Sequence, residues 1–150
     1  MNMAAIQILV GTVMGTALEV AQALSTELKS LGFKCGINTQ FEAGQLGEQG
    51  DEVLLICTSN TGMGDLPANI APLYQHLITD FPNIVGRRYG IINLGDSSYP
   101  NFAQAGQTLD HALADIGAVR VGEPCVLDAI YVDDHVREAT DWLQQWVRQL

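Results

Sequence analysis

Positive charge is what this chain has least of. Lysine and arginine number seven against seventeen aspartates and glutamates, a formal net charge of -10 at pH 7. That balance repels a phosphate backbone and excludes nucleic acid as a partner. Cysteine is scarce as well, and Cys35, Cys57 and Cys125 lie far apart. Disulfide frameworks and zinc sites need paired spacing, so buried reduced thiols are expected. His76, His111 and His135 fall on separate helical segments with no ligand spacing, so no metal site is expected. No uncharged apolar run reaches about 18 residues, so nothing is expected to span a membrane. The N-terminus enters a strand pattern with neither a basic region nor a small-residue cleavage site. A signal peptide is therefore not expected, and the cytoplasm is the expected location.

What the chain does have is 150 residues that are 47% hydrophobic, enough for one domain over 1–150 with a full core. Three short apolar runs each lead into a loop of Gly, Thr, Ser, Asn and Asp. Ile6–Val10 enters Gly11–Thr16, Val53–Cys57 enters Thr58–Asp65, and Tyr89–Leu94 enters Gly95–Tyr99. Continuous apolar runs of this length read as buried parallel strands, and the crevice at their carboxyl ends is where open α/β sheets bind ligands.

Helical periodicity fills the gaps between strands. Ala17, Ala21, Leu24, Leu28 and Leu31 make one face, stopped by Gly32. A short strand Phe33–Ile37 follows, then a glycine-containing loop or irregular helix over 38–51. Pro67 suits the first turn of a second helix whose face is Ile70, Leu73, Tyr74, Leu77 and Ile78. A third helix aligns Phe102, Ala105, Leu109, Leu113 and Ile116 and stops at Gly117. A last strand, Val119–Leu127, is interrupted by Gly122 and Pro124. Asp133 or Asp134 caps a final helix with Val136, Ala139, Leu143, Trp146 and Leu150 inward. The alternation predicts a doubly wound parallel sheet of about five strands with helices on both faces.

The three loops carry the chemistry. Gly11 and Gly15 let the backbone curl at the start of a helix, where free amides and the helix dipole favour an anion, and Thr12 and Thr16 add hydroxyl donors. The loop lacks the lysine of a nucleotide-triphosphate loop and the GxGxxG of a dinucleotide loop. A neutral cradle of this kind suits one phosphate monoester. Thr58, Ser59 and Asn60 are expected to pair with ring heteroatoms, Gly62 and Gly64 to allow close backbone approach, and Tyr99 to offer a flat face. Phosphate cradle, ring donors and aromatic plate together point to flavin mononucleotide (FMN).

Charge placement adds a rim. Asp65, Asp96, Asp128, Asp133 and Asp134 fall on the loop edge, whereas Lys29, Lys34, Arg87, Arg88 and Arg120 fall on the opposite edge. Asp51, Glu52, Asp80 and Asp115 blur the segregation. An acidic rim would steer a basic partner surface toward the loops.

Gly11-Thr12-Val13-Met14-Gly15-Thr16-Ala17, Thr61-Gly62-Met63-Gly64-Asp65-Leu66-Pro67 and Leu94-Gly95-Asp96-Ser97-Ser98-Tyr99-Pro100-Asn101-Phe102 resemble the matching motifs of flavodoxins. The resemblance extends over nearly the whole chain. It looks closest to the small bacterial MioC-type flavodoxins and the flavodoxin-like domains of diflavin reductases. It implies strand order 2-1-3-4-5 and, since Val119–Leu127 has no room for a long insertion, the short-chain type. It further implies that Thr12, Val13, Met14, Gly15, Thr16 and Ala17 hold the FMN phosphate. Thr58, Ser59, Asn60, Thr61, Gly62, Gly64 and Asp65 would cover one ring face. Leu94, Gly95, Asp96, Ser97, Tyr99, Asn101 and Phe102 would cover the other, with Asp128 an acidic position after the last strand. The implied function is one-electron transfer on FMN, as a monomer, between an NADPH-dependent flavodoxin reductase and redox acceptor proteins.

Two residues depart from the flavodoxin pattern. Met14 stands where many flavodoxins have a threonine, and Thr61 where many have an aromatic residue, which implies weaker FMN binding. Met63 or Leu66 could supply apolar cover instead. Other functions make different demands on the same residues. A flavin-dependent quinone or NAD(P)H oxidoreductase needs a nicotinamide pocket for which no segment is available. A phosphorylation-driven receiver domain needs acidic residues where Gly11, Thr12, Cys57 and Thr58 stand. A cofactor-free interaction module on the same fold remains open because of Met14 and Thr61.

Overall fold

A computed structural model describes residues 4–47, 50–61 and 64–150. Its strands are β1 (Ile6–Gly11), β2 (Cys35–Asn38), β3 (Val53–Ser59), β4 (Arg88–Gly95), β5 (Val119–Arg120) and β6 (Cys125–Asp128). Its helices are α1 (Thr16–Ser30), α2 (Ala71–Thr79), α3 (Gln104–Asp115) and α4 (His135–Trp146), followed by a 3₁₀ turn at Val147–Gln149. All strand pairs are parallel, in the order β2-β1-β3-β4, with β5 and β6 lying end to end along β4.

β5 and β6 are one strand position broken in the middle, where Gly122 takes φ +70 and Pro124 has no N–H to give. The five-position order 2-1-3-4-5 therefore holds. The break leaves carbonyls that a continuous ladder would use, and α4 supplies donors for them. Trp146 Nε1 donates to Val121 O at 3.1 Å and Trp142 Nε1 to Glu123 O at 3.0 Å, with the two indoles stacked.

Side chains alternate along each strand, so the core is in two layers. Ile8, Val10, Val53, Leu55, Cys57, Ile92 and Leu94 face α1 and α4. Leu9, Leu54, Ile56, Tyr89 and Ile91 face α2 and α3. β3 and β4 are covered on both sides, which is why they read as unbroken apolar runs. Each fully buried Leu or Ile contributes about 1.5–3 kcal/mol over its exposed state.

The helix stops work as the glycines suggest. α1 ends with Gly32 N donating to Lys29 O and Phe33 N to Leu28 O, and Gly32 has φ +95. That is a Schellman closure, and Phe33 packs on the same core as Leu28. Leu31, expected inward, is the C-cap and is exposed. α2 begins later than expected: Pro67 O accepts from Ile70 N and Ala71 N in a preceding turn, and Pro72 occupies the first helical turn instead. Ile78 at the end of that short helix is exposed. Phe102 lies in the turn before α3, not on its face. Asp134 is the cap of α4, its Oδ1 accepting from Arg137 N at 3.0 Å.

Segment 38–51 is a loop in its described part, with Phe41 and Leu46 buried against the α2 side. Arg87 holds it there. Expected on an exposed basic edge, Arg87 is 4% exposed, and its guanidinium donates to the carbonyls of Leu46 and Gly47. Arg120 is paired with Asp110 at 2.5 Å. Among the described residues no helix is long and apolar enough to cross a membrane.

Candidate functional site

The loops leaving β1, β3 and β4 converge at the carboxyl edge of the sheet and enclose a cavity of about 340 Å³. Volumes of this order hold small-molecule ligands. Of the residues expected there, Thr12, Val13, Met14, Thr16, Ser59, Asn60, Thr61, Gly64, Leu94, Gly95, Asp96, Tyr99, Asn101 and Phe102 line it. Pro100, Ala129 and His135 line it too and were not expected. Gly62 and Met63 lie outside the described residues.

The first loop is folded by its own polar groups. Gly15 N donates to Thr12 Oγ1 at 2.8 Å, and Thr12 N donates to Asn69 Oδ1 at 2.9 Å. Asn69, in the turn before α2, also donates to Val10 O and Thr39 O, clamping β1's exit from the side. Gly15 is the N-cap of α1 at φ +91, a left-handed backbone that favours glycine, and no side chain caps the helix. The first-turn amides are therefore left for a ligand, at the positive end of the helix dipole. The Thr12 and Thr16 hydroxyls stand at the same cavity, whereas Ala17 is buried in the core.

The second and third loops are fastened to each other. Asn60 donates to the carbonyl of Phe102, while its Oδ1 accepts from Ala105 N at 3.0 Å and from Asn93 Nδ2 at 3.3 Å. Asn93 is buried in β4 and accepts from Gly106 N at 2.7 Å. A Cβ on Gly95 would overlap the Phe102 carbonyl oxygen, so only glycine permits this closeness. The side chains expected to meet ring heteroatoms also bond within the protein. Thr58 is buried and donates to Ser59 O at 2.9 Å, Ser59 Oγ donates to Gly11 O, and Asn60 bonds Phe102, Ala105 and Asn93 as above. Of these three residues, Ser59 and Asn60 line the cavity and Thr58 does not. Thr61 N donates to Asp65 O, and Gly64 N to Thr61 O, closing the loop's base. Leu66 packs toward the α2 core and does not cover the cavity. Among the described residues the exposed large apolar side chains at the cavity are Val13, Met14 and Tyr99.

The third loop is tied to the end of β6. Asp128 Oδ1 accepts from Ser97 N and Ile130 N, each at 3.0 Å, and Ala129 N donates to Gly95 O at 2.8 Å. Hydrogen bonds from Ser97 hold the Asp128 carboxyl below the usual carboxylate range. Ser97 and Asp128 thus shape the loop without lining the cavity. Asp96 does line it, with Oδ1 bonded to Ser98 N at 2.9 Å. Asp65 is exposed outside it. Among the described residues no lysine or arginine lines the cavity.

The thiols stand apart from this chemistry. Cys57 and Cys125 flank Ile92 across neighbouring strands, and burial pushes each thiol up to about 12. Among the described residues no group of three His, Cys, Asp or Glu side chains could hold a metal ion.

The arrangement suits a ligand with a flat ring and a phosphate: an uncharged cradle at one end and paired, mutually braced loops at the other. The flavodoxin family profile matches residues 8–146. The chain is 40% identical over 147 residues to flavodoxin YqcA of Escherichia coli (strain K12), spanning 96% of this chain and 97% of that one. It is 31% identical over 150 residues to protein MioC of the same strain, spanning 99% of both. It superposes on a cysteine-to-alanine mutant of flavodoxin from Pseudomonas aeruginosa with a TM-score of 0.87 at 32% identity, over 97% of this chain and 98% of that one. The chain belongs to the flavodoxin family of flavin-binding electron-transfer proteins.

Proposed function

We propose that the flavin is FMN and that the protein carries single electrons between an NADPH-dependent flavodoxin reductase and acceptor proteins in the cytoplasm. One observation supports this most: one cavity is lined at once by the β1, β3 and β4 exit loops and, among the described residues, by no lysine or arginine. A cradle of amides and hydroxyls at the start of α1 fits a terminal phosphate monoester and offers nothing for a triphosphate with magnesium.

FMN, when bound, accepts and returns electrons one at a time, and that chemistry belongs to the cofactor. The protein's residues bind it and shape its surroundings. Thr12 and Thr16 offer hydroxyls to the phosphate, and the uncapped first turn of α1 offers amides. Tyr99, 58% exposed beside the cavity, is available to stack on the ring, worth about 0.5–1.5 kcal/mol beyond area burial. Asn60, Asn93 and Asp128 position the loops on either side.

Titration of the purified protein with FMN tests the reading. Quenching of flavin fluorescence and a shifted flavin absorption spectrum are expected. FMN that stays fluorescent and free would overturn it. With FMN bound, NADPH alone should leave the flavin oxidised, and reduction should require added reductase. Direct reduction by NADPH would favour an oxidoreductase over a carrier.

A further inference from the structure

His135 opens α4 and lines the cavity, where it is the one side chain able to carry positive charge among the described residues. Two neighbouring carboxylates each bond a backbone amide through one oxygen: Asp134 Oδ1 caps α4 through Arg137 N, and Asp96 Oδ1 accepts from Ser98 N. His76, by contrast, has its Nδ1 bonded to Asp80 at 2.7 Å. Among the described residues the half-buried His135 makes no side-chain hydrogen bond to the protein.

Its height in the fold follows from helix packing. Ala139, one turn further along α4, is buried in the core layer that also contains Ala17 of α1. Side chains four apart share a helix face. α1 and α4 pack against each other, and both begin at the edge where the strands end. His135 therefore stands level with the Thr12–Thr16 loop, on the same cavity as Thr12, Met14 and Thr16. That loop carries a thioether at Met14, which offers no donor to an anion.

We infer that His135 is a ligand-recognising residue whose imidazole N–H donates to the cofactor's phosphate, supplying from α4 the donor that Met14 cannot. The inference rests on the FMN reading above. It makes His135 a determinant of specificity for the phosphorylated flavin over riboflavin.

The test compares the affinities of FMN and riboflavin for the full-length wild type, H135A and H135K. Alanine is a good helix former and the site is at a helix start, so H135A should fold, checked by circular dichroism. H135A should bind FMN about tenfold more weakly, in the range for losing one hydrogen bond to a charged group, with riboflavin affinity unchanged. H135K should recover FMN binding. Equal loss for both flavins would assign His135 to the ring or ribityl chain and overturn the inference, and so would no loss for either. Wild type that binds neither flavin would instead remove the FMN reading itself. In wild type, the His135 ring-proton resonances should move on adding FMN and not riboflavin. Identical responses to the two flavins would also overturn the inference.

Discussion

Asn93 donates from Nδ2 to Oδ1 of Asn60 at 3.3 Å, joining the exits of β4 and β3 beneath the cavity. Through Asn60 the bond continues to Phe102 and Ala105, so two loops and the start of α3 form one unit. Replacing Asn93 with leucine keeps the branching at Cγ, adds bulk beside Gly106 and strands the buried Gly106 N–H. A stability loss of about 1–3 kcal/mol is expected from that group alone. Urea unfolding should show a lower midpoint at unchanged slope, and FMN and riboflavin affinities should fall together.

Two glycines of the site should fail in different ways. Gly15 has open space around a built Cβ but sits at φ +91, so G15A should cost about 1–2 kcal/mol from the backbone alone. G15N should cost less, because asparagine tolerates that conformation better. At Gly95 the added methyl meets the Phe102 carbonyl, so G95A should push the loop outward and abolish flavin binding. Thermal melts and flavin-fluorescence titration of the three variants separate the two mechanisms.

Asp128 makes the site sensitive to acid. Its folded-state pKa is depressed by hydrogen bonds from Ser97, so its contribution to stability is present above the unfolded carboxylate range. That contribution is lost as pH falls through the lower, folded value. Stability measured against pH should decline on acidification, and D128N should flatten this part of the profile. NMR titration of the carboxyl should give a midpoint below that of an ordinary aspartate.

The exposed carboxylates Asp65, Asp133 and Asp134 should steer a basic partner. Reduction by the reductase should slow steeply as salt rises, within the roughly 10- to 1000-fold range typical of steered association. D133N and D134N together should slow it at low salt and reduce the salt dependence. An unchanged rate across salt would show that the rim has no part in docking.

Thiol reactivity should follow burial. Cys57 and Cys125, each with its pKa pushed up to about 12, should resist alkylation near pH 8 while the protein is folded. Half-buried Cys35 should react first, and slowly, since burial raises its pKa too. Mass spectrometry of time-quenched samples would show the order.

Much of the fold was legible from the chain because burial leaves a period. β3 and β4 are covered on both faces and so read as unbroken apolar runs, and Gly32 and Gly117 mark helix ends that only a left-handed residue closes well. The broken fifth strand was visible in Gly122 and Pro124. The start of α2 was misplaced because Pro67 and Pro72 both suit a first turn, and hydrogen bonding at Pro67 decides between them. Arg87 looked like surface charge, since nothing local announces that two loop carbonyls will enclose its guanidinium.

The residues at the cavity divide in the same way. Sequence alone determined which three loops meet at the carboxyl edge, because strand order and chain direction put them there. It also determined that no basic residue serves those loops. Only the tertiary structure decided which of their polar side chains face a ligand. Asn60 and Thr58 turn inward because the backbone groups of Phe102, Ala105 and Ser59 would otherwise lack partners. Asn69, distant in sequence, reaches the first loop from the turn before α2, and His135 reaches the same cavity from the start of α4. Local patterns encode which way a strand runs and where it stops. Which distant side chain fills a hydrogen bond depends on how the layers pack, and no local period records that.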